Sequence, residues 1–205
     1  RQMCIRDSGR VELIMTEQEF MEHRPEIYYE LSEDMDSARV KAKAALAGLT
    51  PGAKYRMVLK IRDERSGICK SEAVLDFTAE AGEEERTCSV NMEDILLWNT
   101  WDHGQPWMYT AEVWIERDGS RVCGKESVFA FRKTVIVRTK EITRFRLNGR
   151  DFFVRGTSYF PDCYISAMTE ERYYRDLLNI RAAGFNLVRV HVHVEQDCLL
   201  YTSPS

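Results

Sequence analysis

Nowhere in this 205-residue chain does an apolar run approach the ~20 residues that a membrane-spanning helix needs. No membrane association is expected from it. Cysteine is sparse and scattered: six residues, none in CxxC spacing, which excludes a recognisable zinc site or a disulfide framework. Charge of one sign does not accumulate either. The 29 Lys and Arg and 33 Asp and Glu are interspersed, with a net charge of -4, so no basic patch for nucleic acid is present. The hydrophobic share of 44% is that of an ordinary globular protein.

The two ends read as foreign to the rest. Gln2 to Ser8 is encodable by a short DNA whose reverse complement, in another frame, encodes Cys198 to Ser203. Both ends resemble a transposon-end sequencing adapter translated at the edges of an assembled read. Residues 1–8 and 198–205 are therefore set aside as adapter-like. Cys69, Cys88, Cys123 and Cys163 remain, and the interior is expected to be a slice of a longer protein. Cellular compartment and oligomeric state stay open.

Residues 26–139 read as all-β. Apolar and polar residues alternate in EIYYELS, ARVKAKAAL, YRMVLKIRD, SEAVLDFT, WMYTAEVWIE and SVFAFRKTVIV. Turn chemistry separates them at Thr50-Pro51-Gly52, Arg65-Ser66-Gly67 and Asp118-Gly119-Ser120. Short strands at that spacing over about a hundred residues predict an immunoglobulin-like β-sandwich at 26–140. The stretch before it, 9–25, reads as a linker or the end of a preceding domain. The acidic run from Glu80 to Glu85 reads as a solvated loop. Cys69 and Cys123, in strand-like segments, are candidates for buried thiols.

Four tryptophans, Trp98, Trp101, Trp107 and Trp114, fall in one short segment. Exposed indoles can stack on sugars, but core packing serves them equally well. Trp114 alternates with Val113 and Ile115 and is structural. Trp98 and Trp101, ahead of the turn at Gly104-Gln105-Pro106, are open to either role.

The pattern changes near Ile142. Phe145 to Val154 reads as a hairpin turning at Asn148-Gly149. A buried strand is expected from Phe153 to Gly156, followed by a loop carrying Thr157, Ser158, Tyr159, Phe160, Pro161 and Asp162. Thr169 is an N-cap, with Glu170 and Glu171 in the first helical turn. The helix runs to about Ala183 with Tyr173, Leu177 and Ile180 inward, and Gly184 closes it. A second strand, LVRVHVHVE, follows Asn186. The whole predicts a fold that is mostly β with α/β: a sandwich followed by the truncated β-α-β start of a TIM barrel at 141–197.

Alternation puts Val188, Val190, Val192 and Val194 on one face of that second strand, and Arg189, His191, His193 and Glu195 on the other. A parallel strand after a crossover helix is covered on both faces. The polar set is then expected to point into a barrel interior, where unpaired polar groups are costly. The candidate site residues are Arg189, His191, His193 and Glu195, with Tyr159 and Asp162 from the loop after the first strand. His191 and His193, two apart, also have the spacing of a metal-ligating pair. No third ligand has recognisable spacing.

These residues resemble glycoside hydrolase family 2, the group of β-galactosidases, β-glucuronidases and β-mannosidases. LWNTWDHGQPWMYTAEVWIERDG with Phe131-Arg132 looks like the end of its immunoglobulin-like domain. RLNGRDFFVRGTSYFPD looks like the entry to its barrel, and RAAGFNLVRVH like its second barrel strand. The spacing from Gly156 to Tyr173 is nearest the β-mannosidase-like branch. The resemblance implies a retaining glycosidase with a carbohydrate substrate and no cofactor. Two Glu carboxyls on later barrel strands, roughly 5.5 Å apart, would act as acid/base and nucleophile. Neither position lies within these residues, so the chain alone is expected to be inactive. Arg189 matches the second-strand Arg that supports the nucleophile by favouring its ionised form. His191-Val192-His193 departs from both the galactosidase and the mannosidase pattern. The alternatives are a non-catalytic sandwich used for binding or spacing, and a metal-dependent barrel hydrolase using the His pair.

Overall fold

The computed structural model describes residues 18–160 and 168–191. The adapter-like ends, the stretch 9–17, and Asp162, Cys163, His193 and Glu195 lie outside the described residues. The chain divides into two compact units. One runs from the start of the described chain to Trp98 and resumes over Trp107–Lys133. The other takes Asn99–Pro106 and the chain from Thr134 onward.

The first unit is an immunoglobulin-like sandwich of two antiparallel sheets. One sheet contains β1 (Phe20–Met21), β2 (Glu26–Leu31), β3 (Ala38–Ala47) and β6 (Glu83–Met92). Here β6 pairs with the whole of β3, while β2 and β1 share its other edge. The second sheet has the order β5 (Cys69–Thr78), β4 (Lys54–Asp63), β7 (Tyr109–Arg117), β8 (Ser120–Phe129). Period-two alternation turns Val40, Ala42, Ala44 and Leu46 of β3 inward. Met57, Leu59 and Ile61 of β4 and Ala111, Val113 and Ile115 of β7 join them in one core. Phe131 is fully buried there, edge-on to Tyr29, Tyr109 and Phe129 with ring centroids 5.1, 5.1 and 5.2 Å away. The turns behave as their residues dictate. Asp118 and Gly119, both at positive φ (51° and 76°), make the two-residue connection between β7 and β8.

Four expectations are corrected. The acidic run is not wholly loop: Glu83–Glu85 open β6, where Glu85 meets Lys43 at 2.8 Å and Glu84 accepts the backbone N–H groups of Glu80 and Ala81. The segment 127–137 is not one strand. It leaves the sheet after Phe129 so that Phe131 can enter the core and bridge Leu97, and β9 (Thr134–Arg138) belongs to the other unit. Cys69 is exposed at the start of β5 and Cys123 is half-buried, while Cys88 on β6 is the buried thiol among the described residues. Phe153 is 78% exposed and outside any strand; the strand begins at Gly156.

The second unit opens with β9, β10 (Thr143–Leu147) and β11 (Arg150–Phe152), an antiparallel sheet with β10 in the middle. Asn148 and Gly149, at φ 50° and 78°, turn the β10–β11 hairpin. Then come β12 (Gly156–Tyr159), α1 (Glu170–Ala182) and β13 (Leu187–Val190), with β12 and β13 paired in parallel. The Thr169 side chain accepts the Arg172 N–H at the start of α1, worth about 1 kcal/mol. Gly184 ends the helix at φ 84°. Its N–H donates to Arg181 O at 2.9 Å and that of Phe185 to Ile180 O at 3.2 Å, the paired bonds of a Schellman motif. Tyr173 and Leu177 are buried against Tyr159, Met168, Val188 and Val190.

Candidate functional site

Parallel pairing sets Gly156 beside Leu187, Thr157 beside Val188, Ser158 beside Arg189 and Tyr159 beside Val190. Side chains alternate along both strands, so the pair has two unlike faces. Thr157, Tyr159, Val188 and Val190 form the half-buried to buried face, on which Tyr159, Val188 and Val190 pack with α1. Ser158 and Arg189 are exposed on the other. His191, just past β13, donates its backbone N–H to Tyr159 O at 3.0 Å. Its imidazole lies 6.0 Å from the Phe160 ring, and both residues are exposed.

Arg189, in β13, and His191, just past its end, are both exposed. Phe160, which sequence reasoning did not select, stands with them. A guanidinium can pair with a carboxylate, and an imidazole can donate or accept a hydrogen bond. Tyr159, by contrast, is buried. It is turned under the helix, where its hydroxyl donates to Asp176 Oδ2 at 2.9 Å.

A second cluster lies at the opposite, N-terminal ends of the same strands. Asp102 Oδ2 accepts the Arg155 guanidinium and, at 3.0 Å, the Asn186 amide. Asp102 Oδ1 is 3.0 Å from His103 Nδ1. Burial opposes ionisation of this carboxyl. Hydrogen bonds from His103, Thr100 and Asn186 outweigh it and hold Asp102 well below the usual carboxylate range. Asn186 works in two directions: its Oδ1 accepts the Arg155 N–H at 2.8 Å and its Nδ2 also donates to Phe153 O at 3.0 Å. Trp101 donates its indole N–H to Phe185 O at 3.0 Å, and the guanidinium groups of Arg155 and Arg181 are 6.0 and 5.6 Å from its ring. Trp98 is half-buried with the Arg132 guanidinium 5.0 Å from its ring. Both indoles are engaged by the protein's own cations. Sequence reasoning missed Asp102, Arg155 and Asn186. The available signal was an Asp-His pair in a tryptophan-rich segment and an Asn directly ahead of a strand.

An immunoglobulin-like sandwich is thus followed by a parallel β-α-β unit, with Arg189 and His191 exposed where the second strand ends. The profile of glycosyl hydrolases family 2 matches residues 22–132, more than half of the chain. The chain belongs to that family. β-Mannosidase B of Aspergillus terreus is 23% identical over 155 residues, covering 70% of this chain and 17% of the relative. The chain thus spans about a sixth of the length of that curated relative. A crystal structure of a family 2 member from Bacteroides cellulosilyticus matches with a TM-score of 0.77 at 18% identity, covering 90% of this chain and 23% of that one. The β-glucuronidase of Parabacteroides merdae matches with a TM-score of 0.73 at 20% identity, covering 90% and 22%.

Proposed function

We propose that this chain is part of a retaining glycoside hydrolase that cleaves O-glycosyl bonds, with residues 26–140 as its immunoglobulin-like domain and 141–197 as the start of its (β/α)8 barrel. The observation that carries the proposal is the placement of Arg189 and His191. Arg189 alternates with Val188 and Val190, which pack with α1, and is exposed, as is His191 just past β13; in barrel enzymes the sites are built at such strand ends. Similarity over 90% of the chain supports it, because the sandwich unit alone is too short to supply that coverage.

In this mechanism one Glu protonates the leaving oxygen while the other attacks the anomeric carbon. Water then releases the covalent glycosyl-enzyme with retention. Both acids belong to later barrel strands. Arg189 grips the nucleophile, favouring its carboxylate form and fixing its orientation. His191 and Phe160 contribute the sugar-facing rim, with Asp162, His193 and Glu195 as further substrate-binding candidates. A β-mannosidase and a β-glucuronidase are both among the similar proteins, so the family relationship leaves the sugar open.

The test is a panel of aryl β-glycosides offered to the full-length protein and to the 205-residue chain. Hydrolysis with retention by the first and none by the second is the expected result. An inactive full-length protein would favour a binding or spacing module. Activity abolished by a chelator would favour the metal-dependent alternative. Turnover by the 205-residue chain would refute the placement of the acids on later strands.

A further inference from the structure

Parallel strands of four residues each have little to fix their register. One face of the β12–β13 pair is packed by α1, and the backbone ladder between them spans four residue pairs. A slip of one residue would turn Arg189 under the helix and Val188 or Val190 outward. The N-terminal end of the pair carries a lock against that slip. Arg155 precedes β12 and Asn186 precedes β13, separated by 31 positions. The Asn186 side chain and backbone bond them directly: Oδ1 accepts the Arg155 N–H at 2.8 Å, and the Asn186 N–H donates to Arg155 O at 2.9 Å. Asp102, far away in sequence, binds both side chains through the same oxygen. Its side chain is 13% exposed, and its other oxygen lies 3.0 Å from His103 Nδ1.

We propose that Asp102 is a positioning residue for Arg189: it pins the starts of β12 and β13 in one register, and Arg189 follows three residues after the pinned Asn186. At about 3.3 Å per residue the guanidinium-bearing Cα stands roughly 10 Å from the lock. Asp102 therefore touches no substrate; its effect passes through the strand. The Arg189 part rests on the glycosidase reading above, whereas the strand lock does not.

Two measurements separate those parts. The first is hydrogen exchange of peptides covering 156–159 and 187–190 in the 205-residue chain, comparing wild type with Asp102→Asn and Asp102→Ala. Asn keeps the size of the side chain and removes its charge, so it serves if the Ala variant fails to fold. Protection in these peptides should fall at least about tenfold while that of β4 and β7 stays unchanged. Unchanged protection at 187–190 would overturn the lock. The second is the pH dependence of kcat/KM in the full-length protein. Asp102→Asn should lower kcat by on the order of ten- to a hundredfold, with KM moving less. It should also move the acidic limb to higher pH, because a displaced Arg189 no longer favours the ionised nucleophile. Lost protection with an unmoved acidic limb would make Asp102 structural only and overturn its positioning role. A wild-type full-length protein without glycosidase activity would overturn the reading and the Arg189 role together, and the exchange result would still decide the lock.

Discussion

Asn186 holds Arg155 by both its side chain and its backbone, so the residue before β13 is bonded to the residue before β12. Asn186→Ala removes the side-chain half of that link and leaves the buried side of Asp102 short of a donor. A hydrogen bond to a charged group contributes about 1.5–3 kcal/mol. Protection at Gly156–Tyr159 should fall by an amount in that range. An unchanged exchange rate there would show that the backbone bond alone suffices.

Phe131 illustrates a different kind of dependence. Three aromatic rings meet it edge-on in the sandwich core. Truncation to Ala leaves a cavity that β-strands on either side cannot collapse into, and the cost is about 3–5 kcal/mol. Urea unfolding followed by tryptophan fluorescence should show that loss. A change below about 1 kcal/mol would mean that the rings around it repack.

Gly124 lies opposite Trp114 in the β7–β8 ladder. A Cβ at this position would come within 2.7 Å of Trp114 Cβ and 2.8 Å of Val113 O. The glycine lets Trp114 lie close, with the Arg121 guanidinium 5.3 Å from its ring. Gly124→Ala should destabilise the sandwich by about 1–3 kcal/mol, as overpacking does. A thermal melt within a degree of wild type would contradict that.

The sandwich was legible because its strands are half-buried: alternation wrote Val40, Ala42 and Ala44 or Met57, Leu59 and Ile61 plainly into the chain. β6 was hidden because three consecutive Glu mask the alternation. Only the structure reveals Glu84 folded back on the Glu80 and Ala81 amides. The split after Phe129 was hidden for the opposite reason, since the apolar pattern continues through Phe131 while the backbone changes sheets. Arg189 and His191 could be read from period two. The Asp102 lock could not, because it joins side chains 53 and 84 positions apart and leaves no periodic trace.

Acid should weaken the second unit through Asp102. Its carboxyl is held below the usual range in the folded chain, so between the two values the unfolded state binds more protons. The contribution is complete above the ordinary Asp value of about 3.9 and is lost as pH falls below it. Protection factors at 187–190 should decline from pH 5 to pH 3, beyond any decline in β4. Asp102→Asn should flatten that difference. An equal decline in the variant would assign the acid sensitivity to other carboxylates.

Arg189 should separate activity from stability. Its side chain is exposed in this chain and makes no hydrogen bond or ion pair among the described residues, so Arg189→Met should change the stability of the 205-residue chain by no more than about 0.5 kcal/mol. In the full-length protein the same change removes the cation proposed to hold the nucleophile. Losing one preorganised charge of that kind costs on the order of a hundred- to a thousandfold in kcat. Arg189→Lys keeps the charge and loses the planar fork, so it should recover only part of the rate. A fully active Met variant would remove Arg189 from the site. A Met variant that unfolds the chain would instead make it a structural residue, and full rescue by Lys would reduce its role to charge alone.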